Sequence, residues 1–181
     1  MSGDRDRMAD FYFMQAELVI DACKKEGVFL PCGVLDKLAL YISEIVAWNK
    51  RHNLISFNDI NIIGQRHILD SIVPLLAVSF SENDRLLDIG SGAGFPAIPL
   101  KIMRPDLNVT LVESRRKKVL FLRSTASLLD FSDFLVRWSR IEEFESKDDF
   151  DIVTTRAMAA PEKFGNLVRV HLRKGGLIIL Y

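Results

Sequence analysis

The chain contains 181 residues, 49% of them hydrophobic, and its 24 basic residues balance 24 acidic residues. This length suits one domain with a substantial core and argues against two full domains, while the zero net charge neither indicates nor excludes a nucleic-acid partner. The start of the chain lacks the apolar centre of a secretory signal, and no apolar run approaches the roughly 18 residues of a membrane span. Cys23 and Cys32 show no metal or redox spacing. We therefore expect a reduced, cytoplasmic protein.

The first part of the chain, from about residue 9 to residue 76, has apolar residues at helical spacing. Two helices are predicted there, separated by Gly27 and the turn at residues 31–33, and a third is predicted to start near residues 58–59. No strand pattern interrupts this stretch. Residues 1–80 are thus predicted to form a helical N-terminal extension.

After Asp84, short β-rich runs alternate with helical patterns. Strands are predicted at residues 85–89, 109–113, 134–138, 151–155 and 177–181, and helices at residues 95–103, 115–129 and 161–172. Such alternation with short loops predicts a doubly wound α/β domain with a mostly parallel sheet over residues 81–181. We expect this domain and the helical extension to form one compact unit.

The last predicted strand has an unusual composition. Residues 177–180 are apolar on both faces, which is typical of an interior strand, yet the sequence ends at Tyr181. An unpaired apolar edge promotes aggregation. We therefore expect further strands to cover this edge, so that the chain lacks the C-terminal strands of its sheet.

The most informative motif is a glycine loop that begins at Asp88 and passes through Gly90, Gly92 and Gly94. Glycines in this position allow a tight turn and the close approach of a ligand, at the edge of the sheet where such folds bind ligands. Glu113 ends the next strand, 23 residues after Gly90, and its carboxylate can accept hydrogen bonds from both hydroxyls of a ribose. The motif therefore predicts a cofactor that contains adenosine.

The spacing of the glycines discriminates between two cofactors. Dinucleotide sites favour a third glycine five positions after the first. Here the third glycine, Gly94, is four positions after Gly90, and Phe95 occupies the position five after it. Asp88 before the loop is typical of methyltransferases, in which an acid lies near the methionine end of the cofactor. S-adenosylmethionine is favoured over NAD. An NAD-dependent oxidoreductase would also need a hydride-transfer acid such as a poised histidine, and none is evident.

Five blocks of sequence resemble one family, the bacterial 16S rRNA guanine-N7 methyltransferases of the GidB family. They are W-N-K at 48–50 with N-L at 53–54, R-H-I-L-D-S at 66–71, P-A-I-P-L at 96–100, R-I-E-E at 140–143 and T-R-A at 155–157. The resemblance implies a Rossmann-like class I methyltransferase fold and methylation of N7 of a guanine in 16S rRNA of the small ribosomal subunit. It also implies that Gly90 and Phe95 line the cofactor, that Ile141 and Glu142 border the adenine, and that Arg156 reaches the site.

Guanine N7 has a free lone pair and no proton to lose, so this reaction needs no general base. We assign no acid–base residue and regard Asp88 and Arg156 as positioning candidates. RNA phosphates would be bound by basic side chains; the candidates are Lys50, Arg51, His52, Arg66, Arg115, Arg116, Lys117, Lys118, Arg123 and Arg156. For residues 115–118 a solvated helix face is an equally good explanation.

Other aromatic and imidazole side chains favour structural roles. His67 is expected to be a hydrogen-bonded structural histidine rather than a catalytic one, and Trp48 is expected to pack in the core rather than stack on a base. We predict no metal site and a monomer. Two alternatives stay open, namely a methyltransferase that acts on another substrate and a non-catalytic RNA-binding relative.

Overall fold

The computed structural model describes residues 2–146, 149–156, 165 and 167–181. Its N-terminal part is helical, as predicted, and contains helices α1 to α4 together with a 3₁₀ helix and a π-helical turn. In chain order these are α1 Ser2–Lys25, α2 Val34–His52, the 3₁₀ helix Phe57–Ile62, the π-helical turn Gly64–Leu69, α3 Asp70–Ile72 and α4 Pro74–Ala77. Within the described residues, none of the helices is long and apolar enough to cross a bilayer.

The rest of the described chain forms a five-stranded parallel sheet with the strand order β3-β2-β1-β4-β5. This arrangement confirms the predicted doubly wound α/β fold. The strands and the two helices between the first three are β1 Arg85–Ile89, α5 Ala97–Met103, β2 Asn108–Glu113, α6 Arg116–Leu128, β3 Phe134–Trp138, β4 Phe150–Thr155 and β5 Leu172–Leu180. Because the chain order reverses between β1 and β4, a crevice opens at the carboxyl ends of these strands, where such folds bind ligands.

Successive side chains of each strand point to opposite sides of the sheet, and in the central strands β1 and β4 both sets are largely buried. Leu86 of β1 joins a large core that also contains Leu38 and Ile42 of α2, whereas the next residue, Leu87, packs in a second core with Val153. The large core is shared by the helical N-terminal part and the sheet. The apolar stripe of α2 therefore packs directly on the layer that carries the glycine loop.

The end of the chain differs from the sequence-based prediction. A helix was predicted over residues 161–172, and residues 161–164 and 166 of it lie outside the described part of the chain. Strand β5 begins at Leu172, five residues before the predicted start. Its glycines are accommodated inside the strand: Gly175 has a φ of 81°, and a Cβ on Gly176 would lie 2.8 Å from the Asp151 carbonyl oxygen. The register between β4 and β5 shifts between Phe150 and Ile152, so these glycines accompany an irregularity of the ladder rather than a break in the strand.

Strand β5 lies at the edge of the described sheet and pairs with β4. The apolar side chains that suggested an interior strand are substantially exposed here: Leu177 and Ile178 are each 39% exposed and Leu180 is 58% exposed. Strand β5 thus has the apolar composition of an interior strand but lies at the edge of the described sheet.

Candidate functional site

The glycine loop connects β1 to α5 at the carboxyl edge of the sheet. The Gly90 amide donates a hydrogen bond to the Val112 carbonyl oxygen (2.8 Å), and the Gly94 amide donates to the Ser91 carbonyl oxygen (2.7 Å). Gly94 has a φ of 94°, and a Cβ there would lie 2.4 Å from Cδ1 of Ile98. Only glycine satisfies both the left-handed backbone and the close approach of α5. The loop is therefore a fixed turn past the strand end, in which Gly90 is exposed and Gly92 is half-buried.

Glu113 connects this loop to the following helix. It is 5% exposed, and its two carboxylate oxygens accept hydrogen bonds from the backbone amides of Gly92 (3.0 Å) and Arg115 (2.8 Å). A carboxylate has about four lone-pair sites, so each oxygen can accept another hydrogen bond. The amine of Lys118 also lies beside the loop, 3.5 Å from where a Cβ of Gly92 would be. Glu113 thus fixes the turn and is still able to accept hydrogen bonds from ligand hydroxyls.

Asp88 lies beneath the loop and is completely buried. Its Oδ1 accepts a hydrogen bond from the Thr154 hydroxyl (2.8 Å), whereas its Oδ2 has no partner among the described residues. Burial raises the pKa of Asp88 from the usual 3.8 to about 7, although the hydroxyls of Ser91 and Thr154 and the charge of Arg156 act in the opposite direction. A buried acceptor without a donor is expensive, and a positively charged donor such as an ammonium would satisfy it.

A cleft of about 280 Å³ opens beside the loop. Its apolar walls come from Ile89, Val112 and Ile141, and it is also lined by Gly90, Ser114, Ser139, Arg140 and Glu142. Three of the predicted cofactor residues, at positions 90, 141 and 142, therefore line a single cleft next to Glu113. A cleft lined by apolar side chains and a few polar groups suits a heteroaromatic ring.

The Arg156 side chain extends from the end of β4 into the helical N-terminal part. Its guanidinium donates hydrogen bonds to the Ser71 hydroxyl (3.0 Å) and the His67 carbonyl oxygen (3.2 Å), and it forms an ion pair with Asp70 (2.8 Å). The ring of Tyr181 lies 4.9 Å from the guanidinium carbon, so the cation is also covered by an aromatic face. Arg156 is therefore held in one position at the border of the site, and its charge influences Asp88.

The Phe95 side chain lies in the core rather than in the cleft. It is 5% exposed, stacks on His67 with a ring distance of 5.0 Å and meets Tyr41 edge-on at 5.6 Å. The Tyr41 hydroxyl donates a hydrogen bond to the Ala93 carbonyl oxygen (2.8 Å). Phe95 is not among the residues that line the cleft, and its ring anchors the loop to α2.

Three polar residues at this site were not predicted, namely Tyr41, Ser71 and Thr154. Thr154 is followed by a second threonine in β4, a strand that also contains Asp151, so composition alone did not single it out. Ser71 is the last residue of the R-H-I-L-D-S block and could have been noted there, whereas Tyr41 lies on the apolar face of α2 and gave no signal.

The candidate RNA-binding residues occupy several different environments. Arg66 forms an ion pair with Asp59 (3.1 Å), and Arg123 donates a hydrogen bond to the Val136 carbonyl oxygen (2.9 Å). His52 is half-buried, as is Lys118 beside the glycine loop. The remaining candidates of this group are exposed at the end of α2 and the start of α6: Lys50, Arg51, Arg115, Arg116 and Lys117.

His67 and Trp48 are in the structural environments that the sequence favours. The Nε2 of His67 lies 3.2 Å from a carboxylate oxygen of Asp59, and burial lowers the pKa of this histidine. The Trp48 ring packs edge-on against Phe121 at 5.6 Å. Both side chains therefore contribute to packing between elements.

Comparison with known proteins adds a family match. Residues 34–181 match the family described as GidB, rRNA small subunit methyltransferase G. The chain is 33% identical over 170 residues to "Ribosomal RNA small subunit methyltransferase G" of Oceanobacillus iheyensis, covering 92% of this chain and 71% of that protein. It is 45% identical over 138 residues to the protein of the same name from Roseiflexus castenholzii, covering 74% of this chain and 58% of that protein.

A solved structure with a similar fold is that of a SAM-dependent methyltransferase from Thiobacillus denitrificans in complex with S-adenosyl-L-homocysteine. The TM-score is 0.54 at 16% sequence identity, over 74% of this chain and 52% of that chain. This likeness supports the predicted class I methyltransferase fold.

Proposed function

This chain belongs to the GidB family of small-subunit rRNA methyltransferases, and on that premise we propose that it transfers a methyl group from S-adenosylmethionine to N7 of a guanine in 16S rRNA. The observation that carries the proposal is the pair of buried carboxylates at the glycine loop. Asp88 has an oxygen without a partner among the described residues, and Glu113 holds the loop while keeping free lone pairs. We expect the protein to act in the cytoplasm, on small ribosomal subunits or their RNA.

The residues at the loop fit the three parts of S-adenosylmethionine. The ammonium of its methionine part would satisfy Oδ2 of Asp88, and its ribose hydroxyls would donate hydrogen bonds to Glu113. Its adenine would pack against Val112 and Ile141 in the cleft, next to the exposed Glu142. Backbone groups of Gly90, Gly92, Gly94 and Phe95 would border the molecule, with Arg156 at the opposite side.

S-adenosylmethionine supplies an electrophilic methyl group on a sulfonium centre. Guanine N7 is already nucleophilic and has no proton to lose, so the chain needs to supply no general base. Its contribution is orientation, which can lower a barrier by roughly 7–11 kcal/mol. Methylation at N7 leaves the base positively charged, and the buried Asp88 carboxylate would stabilise this charge electrostatically.

The guanine must leave its stack, or already be unstacked in a loop, to reach the site. Basic side chains would hold the flanking RNA through its phosphates, and the exposed residues Lys50, Arg51, Arg115, Arg116 and Lys117 support this role. Arg66 and Arg123 already have protein partners and Lys118 is half-buried, so these three would contribute less.

The direct test uses labelled S-adenosylmethionine and small ribosomal subunits that lack the modification. The subunits are incubated with this chain, and with a version extended at its C terminus by the matching segment of the Oceanobacillus iheyensis relative, and methylated nucleotides are mapped by mass spectrometry. A single N7-methylguanine in 16S rRNA is expected. Methylation of another nucleotide would overturn the proposed target, but the chain would still be a methyltransferase.

Binding of S-adenosylhomocysteine, measured by calorimetry, separates the remaining alternatives. If both versions bind it but methylate no RNA, the chain is a non-catalytic relative and the proposed activity is wrong. If neither version binds it, the proposed cofactor is wrong as well.

A further inference from the structure

An exposed tryptophan lies at the same edge of the sheet as the candidate site. Trp138 is the last residue of β3 and is directly opposite Glu113 in the register with β2. It is 58% exposed, although large aromatic side chains are usually buried. Its indole N–H donates a hydrogen bond to the Ser114 carbonyl oxygen (2.9 Å), which fixes the ring in place. The indole is thus presented to solvent in a defined orientation.

Cationic side chains surround this ring. The guanidinium carbon of Arg116 lies 5.7 Å from the centre of the indole, and Arg115 and Arg140 line the same surface cleft as Trp138. All three arginines are exposed, and none of their guanidinium groups forms an ion pair within the described part of the chain. Glu143 is the one acidic side chain among the residues that line this cleft. The surface therefore combines an aromatic ring with an excess of positive charge.

The cleft beside Trp138 has a volume of about 640 Å³ and is lined by Ser114, Arg115, Trp138, Ser139, Arg140 and Glu143. It shares Ser114, Ser139 and Arg140 with the smaller cleft next to the glycine loop. The two clefts are therefore contiguous. A polymer bound in the larger one would pass close to the position proposed for the cofactor.

We propose that Trp138 is a stacking platform for an unpaired base of the substrate RNA, with Arg115, Arg116 and Arg140 contacting the phosphates next to that base. This inference rests on the proposed function. An exposed aromatic ring with arginines around it is the combination that single-stranded nucleic acid binds, because every base has a face to stack and every nucleotide carries a phosphate. A cofactor adenine would have no phosphate to match these cations. Duplex RNA would have no free base for the ring.

Fluorescence tests the stacking directly. The chain has two tryptophans, so the Trp48→Phe variant leaves Trp138 as its sole tryptophan. We expect a single-stranded fragment of 16S rRNA to quench this fluorescence and a fully paired duplex of the same length to quench it much less. Equal quenching by both, or quenching by neither when anisotropy shows that the fragment binds, would overturn the platform.

Affinity for a 16S rRNA transcript gives a second readout. Trp138→Ala is expected to weaken binding by about 5- to 150-fold, the range for loss of one base–aromatic stack, and Trp138→Phe is expected to retain most of the affinity. The salt dependence should distinguish the two kinds of contact. Each of Arg115→Gln, Arg116→Gln and Arg140→Gln should reduce the slope of log K against log salt by about 0.7, whereas Trp138→Ala should leave the slope unchanged.

Phe29→Ala is the matched control, since Phe29 is 78% exposed and lines a different surface cleft together with Arg104. Its transcript affinity should equal that of the wild type. S-adenosylhomocysteine affinity is measured for each variant. A loss of this affinity in Trp138→Ala with unchanged RNA affinity would assign the ring to the cofactor instead and overturn the inference. A wild-type chain that binds S-adenosylhomocysteine but no rRNA would overturn the proposed function itself.

Discussion

The carboxylate of Glu113 accepts a hydrogen bond from the backbone amide of Gly92, so the end of β2 fixes the turn that follows β1. The same side chain also accepts a hydrogen bond from the Arg115 amide at the start of α6. One acid thus organises two backbone segments around the cleft. A change at position 113 is therefore expected to affect both the shape of the loop and the binding of a ligand to it.

Replacement of Glu113 by alanine should lower the free energy of unfolding and abolish most cofactor binding. Each hydrogen bond to a charged group contributes about 1.5–3 kcal/mol, and both amides would lose their acceptor. Glu113→Gln, which can still accept at one oxygen, should fall between alanine and wild type. Calorimetry with S-adenosylhomocysteine and chemical denaturation measure the two effects. Glu82→Gln, an exposed acid in the segment before β1, is the control and should match wild type in both.

Gly94→Ala should be more destabilising than alanine at a glycine that has a positive φ but free space around its Cβ position. The new Cβ would clash with Ile98, which is completely buried and cannot swing into solvent. Such overpacking costs about 1–3 kcal/mol beyond the roughly 1–2 kcal/mol of a left-handed residue with a side chain.

Gly175→Ala isolates the conformational part of this cost, because Gly175 also has a positive φ but nothing within 4 Å of its Cβ position. Urea unfolding of both variants gives the comparison. Equal destabilisation by the two substitutions would show that Ile98 and α5 shift to accommodate the new Cβ at no cost in stability, which would contradict the packing argument.

The stability of the protein should depend on the protonation of Asp88. Since burial raises its pKa from 3.8 to about 7, the folded state holds this proton more tightly than the unfolded state between these values. The contribution of Asp88 to stability is then complete below about pH 4 and is lost as the pH rises to about 7. Asp88→Asn cannot titrate, so its free energy of unfolding relative to wild type should increase between about pH 4 and pH 7. Each pKa unit corresponds to about 1.4 kcal/mol.

Cofactor binding should show the opposite trend. The carboxylate form of Asp88 is the one that attracts an ammonium, so the affinity for S-adenosylhomocysteine should rise as the pH increases through about 7. Asp88→Asn should bind weakly at every pH. A wild-type affinity that is independent of pH across this range would contradict the assignment of Asp88 to the ammonium.

Arg156→Lys should destabilise the protein although it preserves the charge. Arg156 makes both hydrogen bonds and the Asp70 ion pair through one nitrogen, Nη2, and its planar guanidinium lies over the rings of Phe95 and Tyr181. A lysine ammonium is not planar and cannot reproduce this stacking. A loss of about 1–3 kcal/mol is expected in chemical denaturation. The matched substitution is Arg66→Lys, whose side chain is 62% exposed in its ion pair with Asp59 and which should change stability by less than about 1 kcal/mol.

Much of the sheet follows from local sequence patterns. The strands at residues 85–89 and 134–138 were predicted with the observed bounds, and β2 and β4 agree with their predictions to within one residue. Apolar runs bounded by polar turns specify such strands locally. The predicted start of β5 was wrong: the strand was expected from residue 177, whereas it begins at Leu172 and contains Gly175 and Gly176, which accompany an irregular ladder and a close approach to β4.

Side-chain partners within the site were less predictable. The hydroxyl of Thr154 reaches Asp88 across 66 positions of the sequence, and Ser71 meets Arg156 across 85. Such pairs depend on the register between parallel strands and on how the helices pack against the sheet. The spacing of one motif determines neither the strand register nor the packing of the helices on the sheet. A single sequence therefore indicates which residues lie near the loop but not which of them form hydrogen bonds with each other.

The hydrogen bond from Tyr41 to the Ala93 carbonyl oxygen has a consequence for inherited variation. Because the centre of α2 supports the glycine loop directly, the helical part of the chain contributes to the shape of a surface that it does not line. Substitutions around Tyr41 would then change ligand affinity, although no residue of α2 lines either of the two clefts. A survey of natural variants that ranked positions by their distance from the cleft would overlook α2. Directed evolution of ligand affinity should therefore include positions in this helix.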